Sequence, residues 1–127
     1  MAIKIFHRDE PVLMLPMIAK DARLVVWVGS GSVTANMNYV SMEPGEQNVV
    51  HAHDSSEDTI FILAGKGTVE DVSNGLRFEI HEGQAVHIPA GVVHAVFADK
   101  GTGIESVGGP APADTEMLRR MGVEIPE

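Results

Sequence analysis

Glycine and proline punctuate this sequence at short and regular intervals. They recur roughly every 8 to 12 residues with short apolar runs between them, a rhythm typical of β-sandwiches and β-barrels. The strands predicted from these runs are 24–28, 34–42, 58–63, 68–72, 76–80, 85–88 and 93–97. The chain is therefore predicted to be all-β, with one domain over residues 1–127.

Two turns are predicted between these strands. The Ser-Asn-Gly run at 73–75 lies between the predicted strands 68–72 and 76–80. Asn-Gly supports the positive φ angles of a tight hairpin, so these two strands are expected to pair antiparallel. The Gly-Lys-Gly run at 65–67 predicts a second turn.

The C-terminal segment has a different pattern. Residues 113–121 are rich in helix formers, with Met117 and Met121 four residues apart, and Gly122 is well placed to end a helix. One short C-terminal helix is therefore predicted, and its apolar side chains are expected to cover the barrel.

Composition excludes several kinds of function. The net charge is −9, so phosphate backbones would be repelled and we expect no nucleic acid partner. The chain has no cysteine, which excludes disulfides, thiolate metal sites and cysteine nucleophiles. The sequence has neither an apolar run long enough to span a bilayer nor a signal peptide, so we expect no membrane partner and a cytoplasmic location.

The chain has six histidines, of which two form a closely spaced pair. His51 and His53 are separated by one residue in a segment with the pattern of a strand, so both side chains are expected on one face. Two imidazoles placed in this way are natural ligands for one metal ion. His7 and His81 have no partner nearby in sequence and are interpreted as ordinary surface or packed residues.

Two longer patterns surround the histidine pair and a third histidine, His94. Residues 45–65, GEQNVVHAHDSSEDTIFILAG, and residues 83–98, GQAVHIPAGVVHAVFA, place glycine, proline and histidine at fixed spacings. In these segments the chain resembles the cupin superfamily, whose motifs have the forms G-x5-H-x-H-x3,4-E-x6-G and G-x5-P-x-G-x2-H-x3-N. The last position of the second motif departs from the family, since Ala98 stands where asparagine is usual.

The resemblance implies a fold, a metal and an assembly. The fold would be a double-stranded β-helix, a jelly-roll-like cupin barrel. The metal would be Mn, Fe, Ni, Cu or Zn, held by His51, His53, His94 and an acid. Family members often form homodimers through strands near the N-terminus. A homodimer that pairs an edge strand over residues 12–18 would be physically sensible here.

The acidic ligand has two candidate positions. Counting back from Gly65 selects Asp58, whereas counting forward from His53 selects Glu57, and neighbouring strand residues point to opposite faces. The strand register favours Asp58. Aspartate is about 1.5 Å shorter than the usual glutamate, so three outcomes stay open: direct coordination, a bridging water, or a site of three histidines. Whichever acid does not bind the metal could act as a general base.

Three functions are compatible with this sequence. The first is an enzyme that uses the metal on a small polar carbonyl compound, as a dioxygenase, an isomerase or a lyase. The second is a module that binds or senses a small ligand without turning it over, and the third is a metal-free relative. His87 could donate a proton in an enzyme. Whether Asn36 and Asn38 line the barrel or face water is left open.

Overall fold

The computed structural model describes residues 2–10 and 13–126, which form eight strands and one α-helix. In chain order the strands are β1 (Leu13–Met14), β2 (Asp21–Val26), β3 (Met37–Met42), β4 (Glu57–Asp71), β5 (Leu76–His81), β6 (Ala85–Ile88), β7 (His94–Ala98) and β8 (Ile104–Ala111). The helix α1 is Thr115–Arg120, and a 3₁₀ helix, Val28–Ser30, follows β2. Every strand pair is antiparallel. The predicted fold class, all-β with one short C-terminal helix, is confirmed.

Strand β4 is shared by two sheets. Its residues 57–65 pair with β6 on one side and β8 on the other, and β8 continues through β3 and β2 to β1. Its residues 66–71 lie between β5 and β7 in the second sheet. The two sheets therefore share one continuous strand, and side chains of both can face a common interior.

The turn predicted at 65–67 is wrong, because β4 continues through these residues without reversing and passes from one sheet to the other. Gly65 has φ +82°, and a Cβ atom at this position would lie 2.1 Å from the carbonyl oxygen of Gly103. Glycine is required at this position because β8 begins in direct contact with the crossing strand. The predicted strands 58–63 and 68–72 are accordingly two parts of β4.

The predicted hairpin at 73–75 is confirmed. Strands β4 and β5 pair from Asp71 opposite Leu76, and Gly75 adopts φ +67°. The carboxylate of Asp71 accepts hydrogen bonds from the backbone and side-chain N–H groups of Asn74, at 3.0 and 2.9 Å. This interaction closes the loop before the chain reverses.

Several other boundaries differ from the prediction. The strand predicted at 24–28 is displaced to β2, and 34–42 is shortened to β3. The N-terminal edge strand predicted at 12–18 is reduced to β1, and Val12 lies outside the described residues. Strand β8 was not predicted, because its glycines and Pro110 have low intrinsic strand propensity. Pairing with β3 and β4 on its two sides stabilises it instead.

The hydrophobic core lies on the inner face of β4 and its neighbours. Alternation along β4 buries Ile62 completely, whereas the next residue, Leu63, is 39% exposed on the outer face. The buried cluster is Leu15, Ala19, Ala22, Leu24, Met42, Ile62, Val69, Ile80, Val96, Ala98, Ile104 and Leu118. No helix among the described residues is both long and apolar enough to cross a membrane.

The contrast between Ile62 and Leu63 gives a test of the strand register. We expect Ile62→Ala to lower the free energy of unfolding by about 2–5 kcal/mol, because it removes apolar burial and leaves a cavity. Leu63→Ala should cost less than about 1 kcal/mol, because its side chain keeps contact with solvent. Urea denaturation of both variants measures the difference. A larger loss for Leu63→Ala would contradict the register.

Candidate metal centre

A cavity with an empty volume of about 790 Å³, counting its solvent-open mouth, lies in the interior that the two sheets share. Its apolar wall is aliphatic and consists of Leu15, Ile18, Leu24, Val40, Met42, Ile60, Ile62, Val96, Val107, Pro110, Met117 and Leu118. The helix α1 contributes Met117 and Leu118, so the C-terminal helix covers part of the cavity, in agreement with the sequence prediction.

Four polar side chains converge on one side of this cavity. One ligand atom of each lies within 4.8 Å of the others, and the four residues are His51, His53, Asp58 and His94. We call them the four-residue cluster. His53, Asp58 and His94 are buried, and His51 is half-buried. The residues that the sequence selected as ligands are thus brought together.

The histidine pair is held by β7 rather than by a strand of its own. His51 and His94 form an isolated antiparallel bridge, with N–H to carbonyl distances of 3.1 and 2.9 Å. The carbonyl of His53 accepts a hydrogen bond from the N–H of Gly91 at 2.8 Å. The expected strand around His51 and His53 is therefore an extended segment with one bridge. Its alternation still directs both side chains to one side.

Each histidine ring is oriented by a hydrogen bond at Nδ1. The partners are the carbonyl oxygen of Val49 for His51 (2.7 Å), a carboxylate oxygen of Asp114 for His53 (2.8 Å) and the carbonyl oxygen of Val92 for His94 (2.9 Å). Carbonyl and carboxylate oxygens accept, so Nδ1–H must donate. In the neutral ring the lone pair is then at Nε2, which is the state that a metal ligand requires.

Two buried atoms of the cluster have no hydrogen-bond partner in the described structure, Nε2 of His94 and Oδ1 of Asp58. The other carboxylate oxygen of Asp58 lies 3.5 Å from Nε2 of His53 and 3.9 Å from Nε2 of His94. Ligands bound tetrahedrally at about 2.1 Å from one ion are separated by about 3.4 Å. Three imidazoles and one carboxylate suit a divalent transition metal. The donor set and its spacing fit such an ion.

The structure separates the two candidate acids. Asp58 faces the cavity and is 6% exposed, and one of its carboxylate oxygens belongs to the cluster although its side chain is short. The Glu57 side chain is 65% exposed on the outer face of β4, where it pairs with His87 at 2.8 Å. This placement gives no support to the prediction that Glu57 is a general base, or that His87 is a proton donor, beside a metal.

Burial and charge act differently on the three histidines. Burial lowers the pKa of His51 and of His94, so both favour the neutral ring. Burial also acts to lower the pKa of His53, but hydrogen bonds and charge from Asp58 and Asp114 outweigh it and raise the pKa. His53 is therefore the histidine whose state depends most on neighbouring carboxylates.

Sequence reasoning missed Asp114. It is the N-cap of α1, where its Oδ1 accepts the N–H of Met117 at 3.0 Å, and its Oδ2 accepts Nδ1–H of His53. An aspartate at the start of a predicted helix is a recognisable capping signal. Its contact with His53, 61 residues away in sequence, has no local signature.

Further polar side chains line the cavity beyond the cluster. Asn36 and Asn38 lie on its wall, and Ser106 lies there too, which answers the question that the sequence left open. The side-chain oxygens of both asparagines are buried without a partner in the described structure. His7 and His81 are exposed and do not line the cavity, as expected.

Comparison with protein families gives a match over most of the barrel. The family model described as "Cupin domain" matches residues 38–104, which include the four-residue cluster. No curated protein sequence shows significant similarity to the chain.

Three solved structures illustrate the similarity in fold. The polyketide cyclase RemF from Streptomyces resistomycificus has a TM-score of 0.72 and 22% identity, over 87% of this chain and 80% of its own. A conserved protein with a double-stranded β-helix domain from Klebsiella pneumoniae has a TM-score of 0.69 and 19% identity, over 88% of this chain and 92% of its own. A predicted oxalate decarboxylase from Thermotoga maritima has a TM-score of 0.67 and 16% identity, over 87% of this chain and 99% of its own. At such identities they establish the double-stranded β-helix fold.

Proposed function

This chain belongs to the cupin domain family, and on that premise we propose that it binds one divalent transition metal in the four-residue cluster and acts as an enzyme on a small organic molecule. The observation that carries the proposal is the convergence of three imidazoles and one carboxylate at the side of a cavity whose apolar wall is aliphatic. Two of the converging groups are buried with atoms that have no other partner in the described structure. Such groups carry a desolvation penalty of about 1–3 kcal/mol each unless something binds them.

The cavity supports a substrate with an apolar body and a polar end. The aliphatic wall would bind the body by excluding water, and the cluster marks the place for an oxygen atom of the substrate. Asn36, Asn38 and Ser106 would orient further polar groups. The names of two similar structures, a polyketide cyclase and a predicted oxalate decarboxylase, are compatible with a substrate that carries carbonyl or carboxylate oxygens.

The titratable residues define the role of this chain in the reaction. Among the described residues that line the cavity, each titratable side chain belongs to the four-residue cluster or, in the case of Asp114, hydrogen-bonds to it. When bound, the metal would supply Lewis-acid polarisation of a carbonyl or enolate oxygen. The protein's own residues would orient the substrate and exclude water, without a separate general base. Because isomerisation through an enolate needs a base to take a proton, this favours a lyase step such as decarboxylation, in which the bond to the leaving carbon dioxide breaks and its electron pair passes to the enolate.

Metal analysis of protein purified without a histidine tag tests the proposal. We expect about one equivalent of a transition metal, or uptake of one equivalent by chelator-treated protein. At a metal concentration of 100 times Kd, binding should stabilise the fold by about 2.7 kcal/mol, which raises Tm by roughly 10 °C. A metal content no higher than that of a chelator-treated blank, with no uptake and no shift in Tm, would refute it.

A second measurement separates an enzyme from a binding module. Metal-loaded protein is incubated with a panel of small ketones, diketones and enolisable acids, and both substrate loss and binding are followed. Conversion that disappears in chelator-treated protein supports the enzyme. Saturable binding without conversion across the panel would favour the small-ligand-binding module instead.

A further inference from the structure

The three histidines of the cluster differ in what orients them. The Nδ1 partners of His51 and His94 are backbone carbonyls of their own segments, two residues earlier in the chain. The partner of His53 is the Asp114 side chain, 61 residues later, at the start of α1. The orientation of His53 therefore depends on whether the C-terminal helix is in place, whereas the other two rings are fixed locally.

Asp114 joins the helix and the cluster with one carboxylate. Oδ1 accepts the Met117 N–H at 3.0 Å and caps the helix, and Oδ2 accepts Nδ1–H of His53 at 2.8 Å. The contact is sheltered, since the side chains of His53 and Asp114 are 4% and 12% exposed. The neighbouring Ser56 hydroxyl donates to the carbonyl of Pro112 at 2.7 Å and holds the approach to the helix in the same place.

The helix depends on this connection. Six residues are too few for a helix to be stable alone, so α1 relies on its cap and on the buried side chains of Met117 and Leu118. These two side chains also line the cavity. Any event that strengthens the Asp114–His53 hydrogen bond should therefore also hold the cover of the cavity in position.

The charges of the cluster support the same connection. Two carboxyl groups lie beside the His53 ring, Asp58 at 3.5 Å from Nε2 and Asp114 at 2.8 Å from Nδ1. A divalent cation bound at Nε2 of His53 would balance both carboxylates. It would also polarise the ring so that Nδ1–H becomes a stronger donor to Asp114.

We propose that Asp114 is a positioning residue that couples metal binding at His53 to docking of the C-terminal helix over the cavity. The inference rests on the proposed metal site and deepens it. The coupling is reciprocal: the docked helix raises metal affinity by fixing His53, and the bound metal stabilises the docked helix. The cover of the cavity is consequently more ordered in the metal-loaded protein than in the metal-free protein.

Substitutions at Asp114 can separate capping from contact with His53. Serine is also a good N-cap but is too short to hold His53, so Asp114→Ser keeps the helix signal and removes the connection. Asp114→Asn keeps both an N-cap and an acceptor oxygen without the charge. Glu116→Ser is the matched control, because Glu116 is exposed in the first turn of α1 and its nearest ion-pair partner is Arg120 at 4.0 Å.

Zn²⁺ affinity is measured by competition with a chromophoric chelator, and circular dichroism of the metal-free proteins verifies folding. We expect Asp114→Ser to weaken Zn²⁺ binding about 10- to 100-fold, as is usual when the partner of a metal-bound histidine is lost. Asp114→Asn should fall between this variant and the parent, and Glu116→Ser should stay within about twofold of the parent.

Hydrogen exchange gives a second measurement. If Asp114 served only to stabilise the fold, its substitution would not change the effect of Zn²⁺ on amide exchange in α1. Zn²⁺ should slow amide exchange in α1 of the parent protein, and this protection should be lost in Asp114→Ser at saturating Zn²⁺. Equal Zn²⁺ affinity of Asp114→Ser and the parent, or unchanged protection of α1, would overturn the inference. A parent protein that binds no transition metal would instead refute the proposed function.

Discussion

The double variant His51→Ala/His53→Ala is expected to bind no transition metal at concentrations that saturate the parent protein. Two of the three converging Nε2 atoms are removed, and one histidine with one aspartate is left. Loss of an outer partner alone costs about 10- to 100-fold in affinity, so loss of two ligands should exceed 100-fold. Metal content and Zn²⁺ competition measure the effect, and the Tm shift on metal addition should disappear with it.

Two further variants show whether a loss of metal binding comes from the missing ligands or from a folding defect. His53 is buried beside Asp58 and Asp114, so its removal leaves both carboxylates with one neighbour fewer. His51→Ala alone spares that contact and should still weaken binding by more than about 100-fold. The matched control is His81→Ala/His87→Ala, since both side chains are exposed outside the cavity. Equal loss of metal in the control, or retention of metal in the double variant, would refute the ligand assignment.

The sequence was sufficient to predict the fold class and the four members of the cluster. Strand alternation and the spacing of His51, His53 and His94 are local patterns, and they survive folding because β7 holds the histidine pair in an extended segment. The C-terminal helix is also a local pattern, with helix formers over residues 113–121 and its stop at Gly122. Features of this kind depend on neighbours along the chain.

The features that the sequence did not predict depend on contacts between distant segments. Gly65 has the local appearance of a turn residue, but glycine stands there because β4 passes close to Gly103. Strand β8 has weak propensity and forms because β3 and β4 pair with both of its edges. The hydrogen bond from His53 to Asp114 likewise joins segments that only the folded barrel brings together.

The preference for Asp58 over Glu57 came from the count back from Gly65 and not from the hydrophobic pattern along β4. Phe61 and Leu63 are as apolar as Ile60 and Ile62, so the pattern along β4 did not select its inner face. In the folded chain Ile62 is fully buried, whereas Phe61 and Leu63 are 44% and 39% exposed. The outer apolar side chains are tolerated at the surface, and the register follows from the inner ones.

Asp58→Ala is the other substitution for which we expect a large effect. It removes the single carboxylate that lies within 3.5 to 3.9 Å of two ligand nitrogens, and with it the charge that best offsets a cation in the buried site. We expect Zn²⁺ affinity to fall by about 100-fold or more. Glu57→Ala is a control of the same residue class at the adjacent position, and affinity should change by less than about twofold because the side chain is exposed.

The two variants give distinct results for each arrangement of the site. A large loss for Asp58→Ala alone establishes direct coordination or a bridging water, and small, equal losses establish a site of three histidines. A larger loss for Glu57→Ala would contradict the register of β4. Stability without metal gives an independent check, because Oδ1 of Asp58 is buried without a partner. Asp58→Asn replaces the buried carboxyl group by a neutral amide. The Tm of the metal-free protein should therefore stay equal or rise even as metal affinity falls.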